Sequence, residues 1–291
     1  MAEDMKIQPE CFLCAMRQAL SAAKLASDNK EFLHECMVET ARILASASRD
    51  QTPPEGGEIF YRMIRERTGN PDPFKEQKKR QNDVVVALLP WLRETVAAAE
   101  DPLLMAVRLA IAGNVVDPGA HESFDLETSV TDAVAGEAGL EAYPALAERL
   151  ADAKQALVVA DNCGEIVFDQ VLIETILETA AKEGRELEVI LAVRAGPIIN
   201  DVTRAEAHDL GLDRLCTVIS SGSEMPGTVI ERSTLEFQDV FRTADLVISK
   251  GQGNWETLED CGRQIFFLFQ AKCPVVATIN SCPVGQPLLL T

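Results

Sequence analysis

The chain has 291 residues, enough for one domain with a satellite but short for two large ones. A net charge of −19 argues against a sequence-independent grip on nucleic acid, which needs a surplus of Lys and Arg, and against an anionic membrane surface. No apolar run of transmembrane length and no signal peptide stands out, and the start, MAEDMKIQPE, is polar, so a cytoplasmic protein is expected.

Residues 1 to about 120 read as helices. CFLCAMRQALSAAKLA, EFLHECMVETARILASA and EIFYRMIRERTG carry apolar positions at helical spacing. FKEQKKRQNDVVVALLPWLRETVAAAE is long, and Pro90 should kink or split it. DPLLMAVRLAIAGNVVDPG starts with Pro102 at a helix N-terminus and runs into breakers. Residues 121 to 155 are acidic, Ala-rich and helical in pattern. From 156 short aliphatic runs alternate with amphipathic segments: ALVVAD, EVILAVR, CTVISSG and DLVISKG each precede a helical stretch, and QIFFLFQAK and PVVATIN read as a last pair of strands. Continuous aliphatic runs between helices predict a parallel sheet buried on both faces. The expected architecture is a doubly wound α/β domain, 126–291, carrying an all-helical N-terminal domain, 1–125.

In an open α/β sheet, ligands bind outside the carboxyl ends of the strands. Those ends deliver Asp161, Asn162, Gly164 and Glu165; Arg194, Asn200 and Asp201; Ser220 to Ser223; and Lys250, Gly251, Gln252, Gly253 and Asn254. Carboxylates and an amide oxygen are hard ligands for Mg²⁺ or Mn²⁺, and the amides of a glycine-rich turn beside a Lys suit a phosphate. A divalent ion would also offset repulsion between an acidic chain and an anionic substrate.

Each residue has a plainer reading. Asp201 and Asn254 suit helix N-caps, Arg194 a surface ion pair, and Glu165 with Asp169 a solvated helix face. A carboxylate directly after LVVA is harder to dismiss, because an unpaired charge at a buried sheet end is costly. The eight cysteines do not look like a disulfide framework, and most are expected as reduced thiols. Cys11 and Cys14 form one C-x-x-C; with Cys36 and Cys273 they offer a thiol-based metal-binding or redox alternative, against a reading as small apolar residues on a packed helix. Cys163 suits packing better than nucleophilic attack.

ADNCGEIVFD, AGPIINDVT and SKGQGNWETL, in that order, resemble the damage-control phosphatase family, long called domain of unknown function 89. CFLCAMRQAL, AGNVVD and AKCPVVA look like its Cys-containing prokaryotic branch, and the resemblance covers nearly the whole chain. It implies a Rossmann-like three-layer α/β/α core and a metal-dependent phosphatase acting on small phosphate esters, such as sugar phosphates or damaged metabolites. The implied metal ligands are Asp161, Asn162 and Asp201, with Lys250 on the phosphate. The ion is expected to be Mg²⁺, Mn²⁺, Co²⁺ or Ni²⁺. The attacking group is expected to be water, oriented or deprotonated by Glu165, or a carboxylate. Arg194, Asn114, Gly251, Gly253 and Asn254 are expected around the substrate. A nucleotide- or adenosylmethionine-dependent transferase on the same fold is the rival enzyme, although DNCGEIV does not supply G-x-G-x-x-G.

Overall fold

A computed structural model describes residues 6–48, 50–113, 123–136 and 139–291. Six helices come first: α1 (Pro9–Ala26), α2 (Lys30–Ser46), α3 (Pro53–Thr68), α4 (Lys75–Val86), α5 (Leu89–Ala98) and α6 (Pro102–Ala112). Their starts follow from local chemistry. Asn29 caps α2 by accepting the Glu31 and Phe32 amides, and Thr52 with Glu55 forms a capping box on α3. Proline needs no hydrogen bond in a first helical turn, so Pro90 divides the long segment: α4 stops at Val86 and α5 opens with Pro90 in its first turn.

Two more helices follow, α7 (Ser123–Val134) and α8 (Tyr143–Asp152). Strands and helices then alternate: β1 (Gln155–Val159), α9 (Glu165–Lys182), β2 (Glu188–Val193), α10 (Arg204–Asp209), β3 (Thr217–Ser220), α11 (Leu235–Thr243), β4 (Leu246–Lys250), α12 (Gln252–Leu258), β5 (Phe266–Gln270), α13 (Pro274–Ile279) and β6 (Pro287–Leu290). The sheet order is β3-β2-β1-β4-β5-β6. Its first five strands are parallel, and β6 runs antiparallel to β5.

One expected strand is corrected. PVVATIN is α13, because Pro274 suits a first helical turn and the Cys273 sulfur caps the Val276 amide; the last strand is PLLL, further on. The helix expected across TVIERSTLEFQDVFRTA begins only at Leu235, where the Thr234 hydroxyl accepts the Phe237 amide.

Apolar side chains gather on both faces of the sheet. One core joins β1, β2 and β4 to α9 and also takes in Leu92, Val107 and Ile111 from α5 and α6. The other joins the opposite face to Phe237, Trp255 and Val276. A third core holds α1 to α3 together with Phe74 and Ile198. The N-terminal helices therefore divide in two: α5 and α6 share the core beneath the sheet, and α1 to α3 form a smaller body of their own. The expected boundary near 125 does not coincide with a break between cores.

β1 lies between β2 and β4, so the crossover direction reverses at the carboxyl ends of β1 and β4. That topological switch point is where an open α/β sheet leaves a crevice.

Phe168, fully buried on α9, packs on the end of α6, where a Cβ on Gly113 would come within 2.6 Å of its ring. Phe168→Ala is expected to lower unfolding free energy by about 3–5 kcal/mol and Gly113→Ala by about 1–3 kcal/mol, read from urea titrations.

Candidate active site

The aliphatic run of β1 ends where the chain needs polar groups. Beyond it, the Asp161 carbonyl accepts the Val202 amide at 2.9 Å and the Cys163 amide donates to the Asn200 carbonyl at 2.8 Å. Asn162 and Asp201 thus face each other as an antiparallel bridge. The Arg194 amide reaches the Val202 carbonyl at 2.9 Å. The stretch 200–203 is therefore wedged between the continuations of β1 and β2, and it brings Asp161, Asn162 and Asp201 together. Asp201 does not cap α10; Thr203 does, in a capping box with Glu206.

Gly251 closes the other side. Its φ is +81°, and a Cβ there would stand 2.0 Å from Asp161 Oδ2. Only glycine allows both the backbone conformation and the approach of β4 to this carboxylate.

Arg194, expected at the substrate, is buried and committed to the protein. Its Nε donates to Asp201 Oδ2 at 2.7 Å. Its Nη1 donates to the Gly227 carbonyl and Thr228 Oγ1, both at 2.8 Å, and its Nη2 to Asn254 Oδ1 at 3.1 Å, with Asp161 Oδ1 at 3.9 Å. Asn254 is likewise spent: its amide donates to the Ala160 and Lys250 carbonyls, tying the ends of β1 and β4. Its place is inside α12 and not at the cap, which is Gly251.

Lys250 is fully buried, and its three donors have partners: the Ala110 carbonyl at 2.7 Å, Glu165 Oε1 at 2.5 Å and Asp169 Oδ1 at 2.8 Å. A phosphate would have to displace one of them. Glu165 Oε2 in turn accepts from the Asn162 amide at 3.2 Å, and Asn162 also donates to Asp161 Oδ2. A chain of polar contacts runs from Asp169 through Lys250, Glu165 and Asn162 to Asp161. Asp169, which suits a solvated face by its position four after Glu165, is completely buried, and its Oδ2 receives no hydrogen bond.

The electrostatics follow from this crowding. Burial pushes Asp161 well above the ordinary carboxylate range, and the Asp201 and Glu165 charges push it further. Burial raises Asp201 too, against the pull of Arg194. Asp169 is lifted by burial to about 7 despite Lys250. Burial works against the charge on Lys250, yet Asp169 and Glu165 outweigh it and hold the ammonium above its usual value. Asp161, Glu165, Asp169 and Asp201 are buried around Arg194 and Lys250, four carboxyl groups beside two cations. Carboxylates crowded at a buried strand edge are a setting that a divalent cation would favour. The donor set beside the half-buried Asn162, two carboxylates and an amide, fits Mg²⁺ or Mn²⁺.

The remaining expected residues fall as follows. Gly253 packs on the Pro226 carbonyl, 2.1 Å from where a Cβ would sit. The Gly251 amide is used by the Leu268 carbonyl, so a phosphate nest there has at most the amides of residues 252–254. Asn114 lies outside the described residues. The eight cysteines are free thiols. Cys11 and Cys14 lie near Cys273, whereas Cys36 is buried in the α1–α3 core, so the four thiols do not form one set. Among the described residues no group of three His, Cys, Asp or Glu side chains is placed to hold a metal. Two contributors lie outside the sequence expectation. Lys272, exposed just past β5, favours the ionised form of Asp161. Lys78, Gln81 and Asn82 of α4 are buried polar residues, in a segment for which the sequence suggests a helix and nothing of its role.

Comparison with known proteins agrees with the resemblance. Residues 7–288 match the model of the damage-control phosphatase ARMT1-like domain. Damage-control phosphatase PH1575 of Pyrococcus horikoshii is 33% identical over 97% of this chain and 96% of its own length. The uncharacterized protein MJ0202 of Methanocaldococcus jannaschii is 31% identical over 99% and 96%. The crystal structure of the DUF89 family protein PH1575 superposes with a TM-score of 0.89 over 98% of both chains at 31% identity. The chain belongs to the damage-control phosphatase ARMT1-like family.

Proposed function

We propose that this chain is a metal-dependent phosphatase that hydrolyses small phosphorylated metabolites. The observation that carries the proposal is the convergence of Asp161, Asn162 and Asp201, joined by the Asn162–Asp201 bridge, at the switch point of the sheet. The names of the relatives supply the reaction class.

On this reading Asp161, Asn162 and Asp201 hold a divalent ion. When bound, such an ion supplies positive charge against the phosphoryl oxygens and acidifies a water. Arg194 fixes the Asp201 carboxylate from behind, and Gly251 leaves room for Asp161. Glu165, held between Lys250 and Asn162, takes the proton of the attacking water. The water oxygen bonds to phosphorus as the ester P–O bond breaks, and the leaving oxygen is protonated from solvent. Lys250 keeps Glu165 in place and contributes its charge from beneath, whereas the exposed Lys272 is the ammonium free to meet the phosphate.

Phosphate release from a panel of phosphorylated metabolites, with Mg²⁺, Mn²⁺, Co²⁺, Ni²⁺ or chelator, tests this directly. Activity is expected to need metal and to fall at least about a hundredfold in Asp161→Ala. Activity that persists in chelator or in that variant would overturn the reading. Gly251→Ala should weaken metal binding and activity together, because its Cβ occupies the space of the Asp161 carboxylate.

Stability should also depend on pH in an uncommon direction. Burial lifts Asp169, and Glu256 of α12, to about 7 in the folded chain. The folded protein then holds protons that the unfolded chain has already released, so stability falls as pH rises through this window. Thermal melts in chelator should show Tm declining from about pH 5 to about pH 7. Added Mn²⁺ should raise Tm more at pH 7 than at pH 5, because its carboxylate ligands must be ionised. A chelated Tm that climbs over this range would contradict the assignment.

A further inference from the structure

The helix α4 has a composition that does not suit burial, KEQKKRQNDVVV, yet Lys78, Gln81 and Asn82 are 1%, 6% and 6% exposed. Their spacing of three and four puts them on one helical face. That face meets both loops that carry the carboxylates.

Asn82 Oδ1 accepts the Gly164 amide at 2.6 Å. Gly164 is the N-cap of α9, at φ +80°, and has no side chain with which to cap. It lies two residues beyond Asn162, so Asn82 holds the far end of the Asp161-Asn162 turn. Gln81 Oε1 accepts from the Asn200 side-chain Nδ2 at 3.1 Å, and Asn200 stands directly before Asp201. Lys78 Nζ contacts Glu206 Oε1 and Asp72 Oδ2, each at 2.6 Å. Glu206 Oε2 accepts from the Thr203 amide at 2.9 Å and from its hydroxyl at 2.5 Å, two residues after Asp201. Three successive side chains of one helix thus bracket Asp161-Asn162 on one side and Asp201 on both sides.

We infer that α4 is a clamp that sets the spacing between the two metal-binding loops, with Asn82 as its principal positioning residue. The inference rests on the metal reading proposed above. Neither Gly164 nor Asn200 is a ligand: Asn82 fixes the Gly164 backbone amide, and Gln81 fixes the side chain of the residue beside Asp201. Outer partners that orient metal ligands are worth about 10- to 100-fold in metal affinity. The clamp also ties the site to the N-terminal helices, since α4 is held in turn by the Lys78–Asp72 pair at its own start.

The test is Mn²⁺ binding to the full chain, read by loss of the free-ion electron paramagnetic resonance signal, for wild type, Asp161→Ala, Asn82→Ala, Asn82→Asp and Lys79→Ala. Lys79 is the exposed neighbour on the same helix, paired only with Asp83. Asn82→Ala is expected to raise the Mn²⁺ Kd by about tenfold or more. Asn82→Asp, which keeps the acceptor, should stay within about threefold of wild type, and Lys79→Ala should be unchanged. Saturating Mn²⁺ should recover most of kcat in Asn82→Ala, which general loss of fold would not allow. Wild-type affinity in a folded Asn82→Ala protein would overturn the clamp while leaving the metal site standing. Absence of Mn²⁺ binding by wild type, or equal binding by Asp161→Ala, would overturn the metal reading and the clamp with it. Where Asn82→Ala is unfolded at the assay temperature, Gln81→Ala reads the Asn200 contact instead, and a wild-type Kd there overturns the clamp.

Discussion

Arg194 and Lys250 are the two fixed positive charges around which the carboxyl ends of β1, β2 and β4 are arranged. Each is buried, and each is surrounded by acceptors that would be stranded without it. Arg194 gathers Asp201, the Gly227 carbonyl, Thr228 and Asn254; Lys250 gathers Glu165, Asp169 and the Ala110 carbonyl. Removing one partner from a buried charged network costs about 3–5 kcal/mol, because the survivors stay buried and unpaired. Such a network holds its members in one arrangement. The parallel sheet makes it possible: consecutive strands end on the same edge, and the reversal between β1 and β4 leaves that edge open.

The same network separates residues that hold the site from residues that face outward. Basic side chains at strand ends are natural candidates for a phosphate, but both have their donors turned into the protein. Their contribution is to orient the carboxylates and to oppose the upward push of burial on Asp169 and Asp201. The Lys250 ammonium reaches Asn162 only through Glu165, and the Arg194 guanidinium acts on Asp201 from behind. On the proposed reading the phosphate would be met by a bound metal and by a cation outside this network, for which the exposed Lys272 is the candidate. On that reading the chain's charge of −19 is reconciled with an anionic substrate by attraction that is local to the site.

The strand ends were legible because a continuous aliphatic run that stops at Asp-Asn has few structural excuses. The first five strands, most of the helices and the break at Pro90 followed from period and punctuation, whereas the order of the strands and the last strand did not. Side-chain direction was not legible. Arg194, Lys250 and Asn254 are the residue types a phosphate site uses, and nothing in their spacing says that they point inward. Asp169 had a signal that is clear in retrospect: EIVFDQVLIETILETAAK is apolar on nearly every side, as a helix covered on one flank by the sheet and on the other by α5 and α6 must be. A carboxylate in its first turns could not be solvated. PVVATIN failed for the opposite reason, since its β-branched residues favour a strand and Pro274 with the Cys273 cap overrode them.

α4 shows why the N-terminal helices matter to a site built on the sheet. Its polar face is invisible as a functional surface in sequence, because the partners of Asn82, Gln81 and Lys78 beside the two loops, the Gly164 amide and the Asn200 and Glu206 side chains, lie some eighty residues or more away. The two loops they hold are also joined by the pairing of 161–163 with 200–202 and by Arg194, and α4 adds a hold from the N-terminal helices. A metal site needs its ligands placed to within a few tenths of an ångström, and loops alone are poor at this. Bridging them with one rigid helix turns two independent loop positions into a single fixed distance. The α/β unit supplies the ligands; the helical segment supplies the precision, and neither half is a complete site without the other.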